Sequence, residues 1–164
     1  MFLVKIVFLI EIAIIIAVIL GMMVIPGIFI MRYLGKKNYS INKSSAKFDI
    51  ELRKAYNLVL KNVEFDGLDF YKDKVIKYLS LEEKKNLIEL IKKAIDTLEK
   101  NEDNFYVFEA YERLIDERRK YDIKVLEYNK VLSVLPFIIF AKLLNYQKRE
   151  TYYKKVDEYD QQID

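Results

Sequence analysis

Three features of the sequence predict an all-α chain, with an N-terminal transmembrane helix followed by a long antiparallel helical bundle that closes as a coiled-coil-like hairpin. Ile12 to Met31 carries no charged residue and is bounded by Glu11 and Arg32. Ser80 with Glu83 three residues on has the form of a capping box, opening a helix with one apolar face. Residues Tyr111 to Leu135 repeat at alternating steps of three and four, the spacing of a heptad seam.

The uncharged run is marked by Ile12, Gly21, Pro26 and Met31. At about 1.5 Å of rise per residue it spans about 30 Å as a helix, which matches the hydrocarbon thickness of a bilayer. In that medium only a helix satisfies its own backbone. Met1 to Glu11 is apolar apart from Lys5 and Glu11, so the helix is expected to start before residue 12, with both charges in the headgroup region. An intramembrane role for Glu11 is the alternative. The run is too long for a cleaved leader and ends in Phe29, Ile30, Met31 and Arg32, so the anchor is expected to stay in place.

Orientation follows from the flanks. Arg32, Lys36, Lys37, Lys43 and Lys47 all precede the first acidic residue after the run, Asp49, whereas only Lys5 and the α-amine lie before it. The positive flank predicts a single-pass protein of the cell membrane with its N-terminus outside and its domain in the cytoplasm. Arg32, Lys36 and Lys37 are then placed to touch anionic headgroups, at about 1 kcal/mol each. The predicted segments are an anchor over 1–34, a polar basic linker over 35–45, a cytoplasmic bundle over 46–146 and a polar tail over 147–164.

Ser45 is the expected N-cap of a helix over about Ala46 to Glu64, with Leu52, Ala55, Tyr56, Val59 and Val63 on its core stripe. Asp66-Gly67 marks a turn. Asp69 to Leu79 reads as a shorter helix with Val75, Ile76 and Leu79 inward. The helix opened by Ser80 runs to about Lys100, with Leu87, Ile88, Ile91, Ala94, Ile95 and Leu98 as its apolar face. Asn101 to Asn104 is the next turn, with Asp103 or Asn104 as cap.

The seam that follows holds Tyr111, Leu114, Arg118, Tyr121, Val125, Tyr128, Leu132 and Leu135. A helix from Phe105 to Leu135 would be about 45 Å long, and Pro136 ends it. Glu109 with Arg113, and Asp116 with Lys120, are i,i+4 pairs off the seam. Arg118 is expected to pack its stem and carry its guanidinium to the rim or to a facing carboxylate; a phosphate or headgroup site is the alternative. The seam tyrosines read as packing residues whose hydroxyls seek polar partners.

Arg113, Arg118, Arg119, Tyr121, Val125, Tyr128, Asn129 and Pro136, followed by an apolar stretch with Ala141, Leu143 and Leu144, resemble the C-terminal signature of the LemA family over about residues 101–152. The resemblance implies a bacterial membrane protein with one N-terminal span, its N-terminus outside, a long antiparallel helical bundle, no catalytic residues and an unassigned molecular function. The first soluble helix departs from the family's double-arginine and Leu-Ile-Pro-Asn type pattern, and Tyr56-Asn57-Leu58-Val59 only approximates its early Tyr-Asn element.

Phe137 to Tyr146 is too short to span. It reads as a short helix folded back on the end of the bundle. The alternative is an interfacial segment that dips into the membrane through Phe137 and Phe140, helped by Lys142, Lys148 and Arg149. Thr151 to Asp164 is polar and expected to fray.

Composition removes several classes of function. The chain has no cysteine, no histidine and four glycines in 164 residues. Thiolate and imidazole chemistry, most transition-metal ligation and glycine-rich phosphate loops are therefore not expected. Its 28 basic and 25 acidic side chains are interspersed, which predicts no nucleic-acid partner. No cofactor, metal or small-molecule substrate is expected, and the partners called for are the lipid bilayer and either a second copy or another protein. A membrane-anchored helical scaffold or adaptor fits best. The alternative is a peripheral lipid-binding or envelope-stress component that uses the basic linker and residues 137–146. An enzyme would have to work with Glu112, Asp116 and Glu117 on a helix surface, and is not the expectation.

Overall fold

The computed structural model describes residues 2–99 and 104–153, with the side chains of residues 2–5, 19, 20, 22 and 23 outside that description. The described chain is all-helical. Helix α1 spans Phe2–Asn62, α2 Leu81–Asp96, α3 Phe105–Val131 and α4 Phe137–Leu143, with short 3-10 turns at Asp69–Tyr71 and Ile76–Tyr78.

The largest departure from the sequence reading is that α1 does not stop. Residues 35–45, expected as a polar linker, are helical, and Ser45 caps nothing because the helix passes through it. The cause is tertiary. Leu34, Ile41, Ser44 and Phe48 are buried at steps of seven, three and four, so this stretch already presents a core stripe. Burial of that stripe outweighs the modest helix propensity of Asn, Ser and Gly. The bundle thus begins near Ile30, the first buried residue among the described side chains of α1, well before the expected start at 46.

Helix α3 lies antiparallel along α1. Lys37 pairs with Glu127 at 2.7 Å near one end, and the Tyr106 hydroxyl donates to Asn62 Oδ1 at 2.7 Å near the other. Leu34, Ile41, Phe48, Leu52, Ala55 and Val59 of α1 share one core with Val107, Leu114, Tyr121, Val125 and Tyr128 of α3. The seam departs from expectation at its end: α3 stops at Val131, so Leu132 remains buried but Leu135 is 70 % exposed. A cis peptide joins Leu135 to Pro136.

The turn at Gly67 holds as read from the sequence. Its φ of +94° is a conformation that glycine adopts without penalty. The helix expected over Asp69 to Leu79 is replaced by the two 3-10 turns, and Val75, expected inward, is exposed. The chain is pinned elsewhere: the Tyr56 hydroxyl donates to the Leu68 carbonyl at 3.0 Å, and Tyr71, Ile76 and Leu79 are buried.

Helix α2 opens as its sequence predicts. The Glu83 N–H donates to Ser80 Oγ and the Ser80 N–H donates to Glu83 Oε2, closing the capping box. Hydrogen bonds from Ser80 and Lys74 hold the Glu83 carboxyl down at about 2. The helix stops at Asp96, four residues before the expected end at Lys100, which lies outside the described residues together with Asp103. Asn104 precedes α3 without a side-chain cap of its own; its amide donates instead to the Glu99 carbonyl at 3.2 Å.

Helix α4 folds back on α1. Phe137 meets Tyr33 with ring centroids 5.5 Å apart, Phe140 packs over Gly27, and Ala141 is buried.

Candidate functional site

After α4 the chain reverses at Asn145, in the left-handed region at φ +56°, and residues 147–153 run back through the groove between α1 and α3 with no helical turn of their own. A segment without regular structure must find partners for its main chain elsewhere. Helix α3 supplies them from side chains. Asn129 Nδ2 donates to the Arg149 carbonyl at 2.8 Å, and the Arg149 N–H donates to Asn129 Oδ1 at 2.9 Å. About two turns earlier, Asp122 Oδ1 accepts the Tyr152 N–H at 2.8 Å. The Tyr121 hydroxyl points at the Glu150 carbonyl from 3.5 Å, the outer limit of a hydrogen bond.

Two strap side chains are gripped as well. The Arg149 guanidinium donates to Asn42 Oδ1 at 2.8 Å and to Asn38 Oδ1 at 2.6 Å, both on α1. The Tyr152 ring is buried between Phe48, with centroids 4.5 Å apart, and Tyr121, at 5.2 Å. These asparagines are the residues whose composition made 35–45 look like a linker.

The electrostatics of this groove are unusual for so small a bundle. Asp122 is 1 % exposed. Burial pushes its carboxyl above the ordinary value of 3.8, against the Tyr152 N–H and the Arg118 guanidinium, which pull the other way. Arg118 is half-buried, with its guanidinium carbon 4.2 Å from the Tyr153 ring centroid, so it stacks on an aromatic face at the edge of an open hollow lined also by Glu82, Glu89 and Tyr111. Arg118 Nε is buried without a hydrogen-bond partner. Nearby, Lys84 of α2 donates to Asp49 of α1 at 2.6 Å, and their side chains are 8 % and 16 % exposed. Burial also pushes the Tyr152 hydroxyl upward.

The positions singled out in the sequence fall into separate places. Tyr121, Val125, Tyr128 and Asn129 share the face of α3 that meets α1 and the strap. Arg113 and Arg119 point away, in surface pairs with Glu109 at 3.6 Å and Asp116 at 3.8 Å. Asp116 therefore does not pair with Lys120, which takes Glu117 at 2.6 Å. Glu112 is exposed, and among the described residues no acidic cluster could hold a metal. Asp116 and Glu117 line a shallow hollow of about 370 Å³ together with Lys47, Arg113 and Lys120, which is charge-balanced surface. Lys37 is engaged by Glu127 rather than free, while Arg32 and Lys36 are exposed.

Phe137 and Phe140 turn toward α1, as expected of a helix folded back on the bundle, and the outward stripe of this segment is Leu135, Ile139 and Leu143 rather than the two phenylalanines that the alternative reading places in lipid. On α1, Ile12 and Met31 are exposed. So are Glu11, Gly21 and Pro26. Among the described residues no helix is long and apolar enough to cross a membrane; the expected span includes residues 19, 20, 22 and 23, whose side chains lie outside the description.

Sequence reasoning missed Asp122 altogether. Its signal was present: Arg118, Asp122 and Asn129 recur at steps of four and seven, which places three polar residues on one face of α3 beside the apolar seam. Fold and groove together define an all-α protein whose two longest helices are bridged by its own extended C-terminal strap. Compared with protein-family profiles, with curated proteins and with solved structures, the chain matches none.

Proposed function

We propose that this chain is a membrane-anchored helical scaffold of the kind that the LemA resemblance implies, with the first thirty or so residues of α1 in the bilayer and the bundle held at its surface. The observation that carries it is exposure. From Ile6 to Phe29 every described large apolar side chain of α1 is exposed, on all sides of the helix, and no part of the bundle covers them. Each such side chain is worth about 1.5–3 kcal/mol when buried, so leaving this surface in water costs on the order of tens of kcal/mol. A surface apolar all round suits lipid, whereas docking to one partner protein would need only a stripe.

Continuity of α1 gives the scaffold its mechanism. With no flexible linker between residues 35 and 45, the bundle is a stiff extension of the anchor and presents its faces at fixed height and angle. Confinement to two dimensions raises local concentration, so weak contacts suffice. The exposed Arg32 and Lys36 and the positive flank support a cytoplasmic bundle. Washing full-length protein in liposomes with alkaline carbonate, followed by flotation, tests the anchor: the chain should float with lipid, and its release into the aqueous fraction would overturn the reading.

A second reading has an observation of its own. Helix α4 packs on α1 between Gly27 and Tyr33, at the end of the apolar run, and its Leu135, Ile139 and Leu143 stripe faces outward with Leu143 77 % exposed. A lipid-binding component would lay that stripe in the headgroup boundary. An environment-sensitive dye on Leu143→Cys should then shift to the blue on addition of liposomes, while the same dye on Lys93→Cys should not; equal spectra reject the reading.

A further inference from the structure

We propose that the α1–α3 groove is a recognition site for an extended peptide of the form Arg-x-x-Tyr, filled in cis by residues 149–152, and that in assemblies it takes the same segment from a second copy of this chain. The strap is held the way a bound peptide is held. Its main chain is read by the Asn129 amide at one point and by the Asp122 carboxylate at another, while two side-chain anchors, Arg149 on Asn38 and Asn42 and Tyr152 between Phe48 and Tyr121, give the sequence requirement. None of these contacts depends on the strap being covalently joined to the helix it lies on. Bidentate pairing of an asparagine with a main-chain N–H and C=O is what an adjacent strand would offer, and peptide recognition by extended pairing uses the same chemistry.

Closure in cis leaves the groove imperfect. Arg118 Nε is buried without a hydrogen-bond partner and the Asp122 carboxyl is held almost wholly out of water, a cost that opening to water would relieve. The strap also has a hinge point: left-handed Asn145 closes the end of α4, where the Tyr146 N–H donates to the Ala141 carbonyl at 2.8 Å, and rotation beyond Tyr146 would swing residues 147–153 away from their own bundle while that cap stays closed. The commitment to a second copy rests on complementarity. The segment seated in the groove is this chain's own, so every copy carries both halves of the contact, and exchange of an identical element needs no new surface. Anchoring in one membrane favours exchange by concentration, but the contact itself does not require lipid.

The test uses complementation between two full-length variants. One has a disabled strap, Tyr152→Ala, with Arg149→Ala in reserve should the first lose its helical circular dichroism; the other has a disabled groove, Asn129→Ala. The sequence contains no cysteine, so Lys93→Cys on each accepts donor or acceptor dye at one defined place. Mixed at equal density in detergent micelles and again in liposomes, the complementary pair should show energy transfer several-fold above either variant alone. Adding Asn129→Ala to the strap-disabled copy should abolish it, as should excess synthetic peptide with the sequence of residues 147–153. Transfer in the mixture no greater than in the separate variants overturns the proposal, and so does transfer that survives the peptide. Because the micelle arm needs no bilayer, a failed exchange is distinguishable from a failed anchor, which carbonate flotation reads separately.

Discussion

The ring of Phe140 lies against the backbone of α1 so closely that a Cβ on Gly27 would come within 2.8 Å of its Cε1. Glycine at this position is therefore a contact residue, and the fold-back of α4 depends on it. Gly27→Ala should displace the ring and loosen α4, at about 1–3 kcal/mol for overpacking. Amide exchange at Leu144, whose N–H donates to the Phe140 carbonyl at 2.9 Å, should accelerate. Gly21→Ala is the matched control, since nothing lies within 4 Å of a Cβ there, and it should leave α4 exchange unchanged.

Asn129→Ala removes both hydrogen bonds to the Arg149 main chain and leaves an N–H and a C=O to find water. The expected loss is about 1–3 kcal/mol in thermal or denaturant unfolding. Trypsin should cut after Lys148 and Arg149 at least several-fold faster than in the parent while the α1–α3 core stays folded. Unchanged cleavage would mean that the Asn38, Asn42 and Asp122 contacts with the Tyr152 slot hold the strap without Asn129.

Lys84 and Asp49 form the most buried ion pair among the described residues. Lys84→Met should cost about 3 kcal/mol at neutral pH, because it strands a carboxylate that burial already pushes above 3.8 and that Lys84 holds down. Adding Asp49→Leu should recover most of that loss. Urea unfolding of the single and double variants reads both numbers.

Asp122 gives a pH dependence whose sign is fixed by its burial. The folded carboxyl titrates above 3.8, so between that value and the raised one the folded state binds more protons than the unfolded chain, and stability falls as pH rises through the window. Asp122→Asn cannot titrate. Its stability relative to the parent should therefore improve on going from about pH 4 toward pH 7. Glu83, held at about 2, contributes stability above its ordinary 4.5 that is lost in acid, but it does so in both proteins and cancels in the comparison. Melting curves of the pair at three pH values check this, and a constant difference would contradict it.

What the sequence makes legible is local. The Ser80–Glu83 box, the Gly67 turn and the Leu114 to Leu132 seam are encoded within a few residues of one another, and each forms as read. What it hides is long-range. Asn38 and Asn42 look like linker residues until Arg149, more than a hundred positions away, is placed between them. Likewise Asn129 and Asp122 are poor core residues by composition, and make sense only once the main chain of 149–152 lies over them. The strap has no apolar period of its own, so nothing in 147–153 announces that it is ordered. The over-long reading of α3, to Leu135, came from extending a regular spacing up to Pro136 when the helix had already ended at Val131.

The proposed scaffold has the N-terminal part of α1 in lipid and the same helix continuing into water as part of the bundle. Ile16 and Asn57 are both exposed on that one helix, so in the absence of a membrane cysteines at the two places should react alike. In liposomes solubilised only after quenching, Ile16→Cys should be protected from a membrane-impermeant maleimide and Asn57→Cys should label fully wherever its side of the bilayer is accessible. Equal labelling of the two positions in intact liposomes would contradict the claim.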